Sequence, residues 1–255
     1  MTEPRYVDSH CHLETKEFDS DRDSIIETAR ELDISIITSG IEKASWNKAC
    51  KIAEKYKNVY ASVGLNPTQY DICPQAIDWI ESNSDRFISI GETGLDHYLV
   101  RDHEERKKQR ACFEKLVGLA DLMKIPIQVH SRSAGKKALE ILEENNARDV
   151  HLHAFDGKAS LARVASRDLG YYFSIPTSVV RSPQKQKLVK AVAIERLLIE
   201  TDSPVLAPER GERNVPSNLP LVVREISRLL RRDEEEVREI TLENTLRLYS
   251  KIRTH

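Results

Sequence analysis

The chain has 255 residues, 40% of them hydrophobic and 31% charged, with both signs mixed and a formal net charge of −2. This length and composition fit one large domain, and the near-zero charge excludes a broad basic surface, so any site for a polyanion must be local. No apolar run approaches membrane-spanning length and no apolar signal segment follows the first residues, so we expect a cytoplasmic protein with neither a membrane partner nor an obligate protein partner.

Eight short apolar, β-branched runs recur along the chain, and most of them end in Gly, Pro, Ser or Asp. They cover residues 5–10, 34–40, 58–67, 86–94, 125–132, 149–155, 170–176 and 196–204. Near-continuous apolar runs are typical of strands that are buried on both faces of a parallel sheet. Segments with helical periodicity lie between and after the strands, at residues 19–33, 42–56, 73–83, 104–124, 133–146, 158–169, 182–193, 220–230 and 233–252.

Eight alternations of strand and helix predict an α/β fold of the (β/α)8 TIM-barrel type, formed as a single domain over residues 1–255. A doubly wound open sheet is the alternative. No internal repeat, low-complexity segment or linker divides the chain. The segment 203–218, SPVLAPERGERNVPSN, follows the last predicted strand and is rich in proline and charge. A long loop in that position is typical of a functional loop.

The four cysteines are Cys11, Cys50, Cys73 and Cys112. None of them forms a C-x-x-C pair, and their spacings indicate no disulfide framework. We therefore expect free thiols in a reducing compartment.

Side chains able to bind metal ions follow five of the predicted strands, at the end where barrel enzymes place their active sites. His10 and His12 end the first strand, and one intervening residue directs both imidazoles to the same side of the chain. A lone histidine is usually structural, so the prediction depends on the whole set. The candidate metal ligands are His10, His12, Glu92, His130, His153 and Asp202.

Four further histidines serve as a comparison for this set. We expect His103 to begin a helix, and His151, two residues before His153, to be a buried polar group deeper in the barrel. His97 follows the fourth strand on the rim and is a candidate substrate contact. His255 is terminal and plays no part in the predicted site.

With this constellation in view, the chain resembles the TatD family of metal-dependent deoxyribonucleases, within the amidohydrolase-like barrels. The matching motifs are DSHCHL, VGLNP, IGETGLDHY, IPIQVHSR, HAFDG, ETDSP, RGERNVP and the C-terminal EEEVREITLENTLRLY. They occur in order over nearly the whole chain. The resemblance implies hydrolysis of DNA phosphodiester bonds, often from a 3′ end.

The resemblance also implies a site for two divalent metal ions. One ion would be held by His10, His12, Glu92 and Asp202, and the second by His130 and His153 together with a bridging Glu92. Glu92 and Asp202 are the expected catalytic residues, because Asp202 as a carboxylate can also accept a proton from water. The histidine-rich set favours zinc, manganese or iron by ligand type, whereas the family is usually assayed with magnesium, so the metal stays open among Zn, Mn and Mg.

Substrate contacts are predicted from position rather than from a motif. Arg132 directly follows His130, and Arg213 lies in the long last loop, where a guanidinium can pair with a phosphate. Asn66 replaces the histidine that the family usually has in its GLNP motif, Asp156 replaces a common serine, and Val215 replaces a carboxylate. These departures affect substrate contacts and leave all six candidate ligands in place.

Three functions are compatible with these residues. The first is a phosphodiesterase that acts on single-stranded or frayed DNA ends. The second is a metal-dependent carbonyl hydrolase, such as a deacylase of D-aminoacyl-tRNA or a hydrolase of small amides or esters. The third is a non-catalytic binding module, which the intact ligand set disfavours. Phosphodiester hydrolysis benefits from cations around the phosphate, whereas carbonyl hydrolysis needs only one polarised oxygen.

Overall fold

The computed structural model describes residues 4–252, so His255 lies outside the described residues. Eight parallel strands form one sheet in the order in which they occur in the chain. The strands are β1 Tyr6–Cys11, β2 Ile34–Gly40, β3 Val59–Val63, β4 Ser89–Gly94, β5 Ile127–His130, β6 Val150–Leu152, β7 Tyr172–Pro176 and β8 Leu197–Glu200. Seven of them lie within the predicted runs, and β1 extends one residue beyond its run, to Cys11. Every residue of β2 is buried, as expected for a strand between a barrel interior and a layer of helices.

The sheet closes on itself between β8 and β1. The Asp202 N–H donates to the His10 carbonyl oxygen at 2.9 Å, and the His12 N–H donates to the Ser203 carbonyl oxygen at 2.7 Å. The Asp8 carboxylate also accepts the Thr201 N–H at 2.8 Å. The architecture is therefore the predicted (β/α)8 barrel, and the alternative of an open sheet is wrong.

Nine α-helices of the described chain surround the barrel or follow its last strand. They are α1 Arg22–Glu31, α2 Lys43–Lys55, α3 Cys73–Ser82, α4 His103–Met123, α5 Gly135–Glu144, α6 Ala159–Asp168, α7 Pro183–Ala191, α8 Pro220–Leu230 and α9 Glu234–Leu248. His103 begins α4, as predicted, and the Asp102 side chain caps that helix by accepting the Glu105 N–H at 3.0 Å. Within residues 4–252, no helix combines the length and apolar character that a membrane crossing requires.

The prediction of four free thiols is wrong for two cysteines. Cys73 and Cys112 form a disulfide with their Cα atoms 5.8 Å apart, while Cys11 and Cys50 are free and buried. The pair joins the first residue of α3 to the middle of α4, and a sequence separation of 39 conceals this proximity in the sequence. The prediction of a cytoplasmic location rested partly on free thiols, and it stays a prediction.

Candidate metal centre

The barrel brings the six candidate ligands together at the carboxyl ends of its strands, and we call these six residues the ligand cluster. Glu92 is central among them. Its Oε2 lies 3.1 Å from His10 Nε2 and 3.1 Å from His153 Nε2, and its Oε1 lies 3.0 Å from His130 Nδ1. The two oxygens of one carboxylate thus face different histidines.

The side of the cluster nearest β1 and β8 is formed by His10, His12 and Asp202. The Nε2 atoms of the two histidines are 3.2 Å apart, and Asp202 Oδ1 lies 3.7 Å from each of them. Asp202 has a positive φ of 56°, a left-handed conformation that aspartate and asparagine adopt more readily than most residues. The turn after β8 therefore directs its carboxylate at the paired imidazoles.

A glycine in the GETG motif allows the close approach of two strands beside the cluster. Gly94 has a φ of 139°, and a Cβ at this position would lie 2.1 Å from the His130 carbonyl oxygen. Only glycine fits here without displacing the backbone that carries His130.

Polar partners on the far side of three imidazoles determine which nitrogen faces the centre. His10 Nδ1–H donates to Gln128 Oε1 at 2.9 Å, and His12 Nδ1–H donates to the Ser39 carbonyl oxygen at 2.9 Å. His130 Nε2–H donates to Asp96 Oδ2 at 3.2 Å. Each ring therefore directs its other nitrogen, with a lone pair, into the cluster, an arrangement typical of histidines that ligate metal ions.

These donor atoms fit divalent metal ions. The atoms of His10, Glu92 and His153 lie within 4.8 Å of one another, and so do those of His10, His12 and Asp202. Lone pairs facing carboxylate oxygens at such distances repel one another unless positive charge lies between them. Nitrogen and carboxylate donors together suit zinc, manganese or iron. These groups divide the ligands differently from the resemblance, because His10 belongs to both and His153 accompanies His10.

The pKa values of residues in the ligand cluster also indicate that the buried carboxylate needs positive charge close to it. Burial would raise the pKa of Glu92, but His153 and His130 outweigh it and hold this pKa well below its usual range. Burial would lower the pKa of His130, but Glu92 and Asp96 raise it to about 10. Burial lowers the pKa of His153 to about 4, and the charge of His10 adds to this effect.

Several residues that support the ligands were absent from the predicted site. Asp96 and Gln128, described above, lie in the motifs GETGLD and IPIQVHSR. Glu14 is buried beside His12, 3.4 Å from its Nδ1. The signal available in the sequence was spacing, because Gln128 lies two residues before His130 and Glu14 two residues after His12. Their partners, however, come from distant strands.

A second supporting group fixes the turn after His153. Glu200 is fully buried and accepts the Ala154 N–H at 2.8 Å. Lys185, from α7, donates to the carbonyl oxygens of Ala154 and Phe155 at 2.7 and 3.0 Å. Ala154 has a φ of 37°, which is strained for a residue with a side chain. These contacts hold the strained turn that directs His153 into the cluster.

The four predicted substrate contacts occupy different surroundings. Arg132 is exposed on the rim beside the cluster, and its carbonyl oxygen accepts the N–H of half-buried His97 at 2.9 Å. Arg213 instead pairs with Asp21 and donates to the Glu17 carbonyl oxygen. Asn66 accepts the N–H and hydroxyl of Thr68 at 2.9 and 2.8 Å. These contacts of Arg213 and Asn66 involve no member of the ligand cluster, and all four roles stay predictions.

The structure shows the contacts of two residues that differ from the usual family pattern, Asp156 and Val215. Asp156 accepts the Ser133 N–H at 2.7 Å, next to the start of α5. Val215 packs partly buried against the hydrophobic core, where a carboxylate would lose solvation.

The fold and the site together define a metal-dependent hydrolase of the (β/α)8-barrel class. The model of the family of TatD-related DNases matches residues 7–250. The chain belongs to this family, and it is a TatD-type hydrolase.

Individual relatives and structures agree with this assignment. The human deoxyribonuclease TATDN3 is 37% identical over 97% of this chain and 95% of its own length. An uncharacterized metal-dependent hydrolase of Methanocaldococcus jannaschii is 34% identical over 98% of this chain and 99% of its own. The crystal structure of the TatD homologue YjjV from Escherichia coli covers 96% of this chain and 98% of its own, with a TM-score of 0.87 and 24% identity. This last likeness concerns the fold alone.

Proposed function

We propose that the protein is a deoxyribonuclease that hydrolyses phosphodiester bonds at a site for two divalent metal ions. The observation that carries the proposal is the position of Glu92, whose two carboxylate oxygens face different histidines at 3.0–3.1 Å. A single carboxylate in that position is suited to bridge two ions. The similarity to the human relative, which is named a deoxyribonuclease, supports DNA as the substrate class.

The protein side chains would divide the work of hydrolysis. A pair of bound divalent ions would supply positive charge to a phosphoryl oxygen and lower the pKa of the attacking water. His10, His12, Glu92, His130, His153 and Asp202 would hold them. Asp202 would accept a proton from the water at a carboxylate oxygen, because its side chain lies at the edge of the cluster and is 10% exposed. Gln128 and Asp96 would keep the ligand imidazoles oriented during this step.

We also propose that the enzyme acts at a strand end, in the 3′ to 5′ direction. The chain has 39 basic and 41 acidic residues, so it lacks the charge to hold a long duplex by a broad basic surface. A rim with few cations can grip only a few phosphates. Single-stranded or frayed ends therefore suit it better than intact duplex.

The test is a hydrolysis assay with purified protein and added Zn²⁺, Mn²⁺ or Mg²⁺. The substrates are a 3′-labelled single strand, a covalently closed circular DNA and a D-aminoacyl-tRNA. We expect mononucleotide release from the linear strand and little cutting of circles. Efficient cutting of circles would refute end-directed action. Turnover of the acylated tRNA alone would refute the nuclease and support the carbonyl hydrolase instead.

A further inference from the structure

Two large apolar side chains stand exposed beside the ligand cluster. Tyr98 is 50% exposed and Leu99 is 58% exposed, and both lie in the loop between β4 and α4. The guanidinium carbon of Arg132 lies 4.0 Å from the centre of the Tyr98 ring. One face of the ring is thus covered by a cation, while half of the Tyr98 surface stays exposed to solvent. We call Tyr98, Leu99 and Arg132 the rim platform.

The rim platform is connected to the metal centre through one carboxylate. Asp96 Oδ1 accepts the N–H groups of Tyr98 and Leu99 at 3.0 and 2.8 Å. Its Oδ2 accepts the Nε2–H of the ligand His130 at 3.2 Å. A group stacked on Tyr98 would therefore be held at a fixed position relative to His130.

The loop that carries Tyr98 is held in place before any ligand arrives. Arg106, from α4, donates to the Val100 carbonyl oxygen at 2.8 Å and to the His97 carbonyl oxygen at 3.0 Å. The His97 N–H donates in turn to the Arg132 carbonyl oxygen at 2.9 Å. The backbones under both members of the stacked pair are thus joined. Preorganisation of this kind reduces the entropy lost on binding.

The chemistry of the rim platform fits a nucleobase. Aromatic side chains stack on bases of any sequence because every base has a π face. The Arg132 guanidinium, lying over the tyrosine, keeps donors at its edge for a neighbouring phosphate. Two exposed apolar residues are too small a patch for a stable protein interface, which needs about 800 Å² on each partner.

We infer that the rim platform is a base-binding subsite in which Tyr98 stacks on a base of single-stranded DNA next to the scissile phosphate. This inference rests on the proposed nuclease function and adds the nucleobase as a recognised part of the substrate. Arg132 supports the ring on one side and contacts the adjoining phosphate. The subsite discriminates unstacked bases from intact duplex, because only a splayed base presents a free face.

The stacking is tested by comparing two proteins on two substrates, one with and one without a terminal base. Wild type and Tyr98→Leu are each assayed on two single strands that differ only in whether the 3′-terminal nucleotide carries a base or is abasic. A base stacked on an aromatic side chain contributes enough that Tyr98→Leu should raise KM about five- to hundred-fold on the normal strand. The abasic strand should be equally poor for both proteins. Tyr98→Phe keeps the π face and should behave as wild type.

A spectroscopic readout separates stacking from catalysis. An oligonucleotide ending in 2-aminopurine is titrated, with metal ions present, with each protein carrying the additional substitution Asp202→Asn, which suppresses cleavage. Stacking on Tyr98 should quench the fluorescence in wild type and Tyr98→Phe but not in Tyr98→Leu. Unchanged KM and quenching in Tyr98→Leu, or equal losses on normal and abasic strands, would overturn the subsite. Failure of wild type to cleave any DNA would instead overturn the proposed nuclease function.

Discussion

Two polar regions lie within the barrel, one above the other, and they use the same residue types differently. The lower one consists of Gln128, His151, Ser174 and Tyr249, and we call it the lower polar layer. Both nitrogens of His151 have hydroxyl partners at 2.6 Å, Tyr249 and Ser174. The Tyr249 hydroxyl also accepts the Gln128 Nε2–H at 2.9 Å. In the ligand cluster, by contrast, the nitrogens and carboxylate oxygens face one another.

A structural histidine and a candidate ligand histidine thus differ in their hydrogen-bond partners and not in their burial. His10 and His151 are both fully buried. His151 is satisfied by neutral hydroxyls, and burial, followed by the charges of His10 and His153, holds its pKa well below the usual range. His10 directs a lone pair at another imidazole and a carboxylate. The hydrogen bonds of the lower polar layer need no additional ion. The facing lone pairs of the ligand cluster, in contrast, need positive charge between them.

The largest expected effect comes from removing a carboxylate from the ligand cluster. Asp202→Asn keeps the side-chain shape, and asparagine tolerates the φ of 56° at this position. Turnover should fall by about 10²–10⁴-fold, the usual cost of losing a general base, with an unchanged circular dichroism spectrum. Steady-state hydrolysis of a 3′-labelled strand measures the loss. Near-normal turnover would show that Asp202 is neither base nor essential ligand.

The second-largest expected effect concerns metal binding, which should involve the ligand cluster and not the lower polar layer. Saturated protein should carry two divalent ions, and at a free concentration 100-fold above Kd each ion should stabilise the fold by about 2.7 kcal/mol. His153→Ala should weaken mainly one of the two ions. Exposed His103, at the start of α4, provides the control His103→Ala, which should leave both. Native mass spectrometry and thermal unfolding with and without chelator measure these effects. At most one ion under saturation would refute a bridging Glu92.

A substitution in the lower polar layer should affect stability instead of turnover. Tyr249→Phe removes the hydroxyl that hydrogen-bonds both His151 Nδ1 and Gln128 Nε2. The loss of this partner for buried polar atoms should lower the free energy of unfolding by about 1–3 kcal/mol. Gln128 keeps the Ser39 hydroxyl at 2.8 Å and the Ser9 carbonyl oxygen at 3.1 Å, so it should still orient His10. Urea unfolding and kcat are compared for the same preparations. If Tyr249→Phe kept wild-type stability but lost much of its kcat, the lower polar layer would serve catalysis rather than stability.

The strand positions and the clustering of the candidate metal ligands followed from local information. Each predicted strand is an apolar run that ends in polar or turn residues, and the parallel barrel brings all such ends to one rim. His10, His12 and Glu92 therefore needed no knowledge of their partners. The same reasoning separated His151 from His153, because a two-residue step along a strand moves a side chain one layer deeper.

Contacts between distant segments were beyond the reach of this reasoning. The Arg213 guanidinium pairs with Asp21, 192 residues earlier in the chain, and nothing local to either residue indicates the other. The Cys73–Cys112 disulfide depends on how α3 packs against α4. Asp96 lies in the motif GETGLD, but its double role, accepting from His130 and from the Tyr98 loop, is visible only in three dimensions.

The two arginines predicted to contact phosphate provide the smallest and most discriminating prediction. Arg132 is exposed beside the ligand cluster, whereas the Arg213 guanidinium is already engaged by a carboxylate and a carbonyl oxygen. Each neutralised phosphate contributes about −0.7 to the log–log salt slope for single strands, so two or three contacts give a slope of about −2. Arg132→Ala should raise KM and make the slope shallower by about one contact. Arg213→Ala should change neither.

Salt titration of cleavage on a linear single strand measures both variants against wild type. An equal loss in Arg213→Ala would mean that its pair with Asp21 opens on substrate binding and that the last loop joins the site. A much steeper wild-type slope would reveal a basic surface that a net charge of −2 conceals. The expected shallow slope instead limits the grip to a few phosphates, because only cations close to the ligand cluster can neutralise the strand there. Recognition would then depend mainly on the metal centre and on the base stacked at Tyr98.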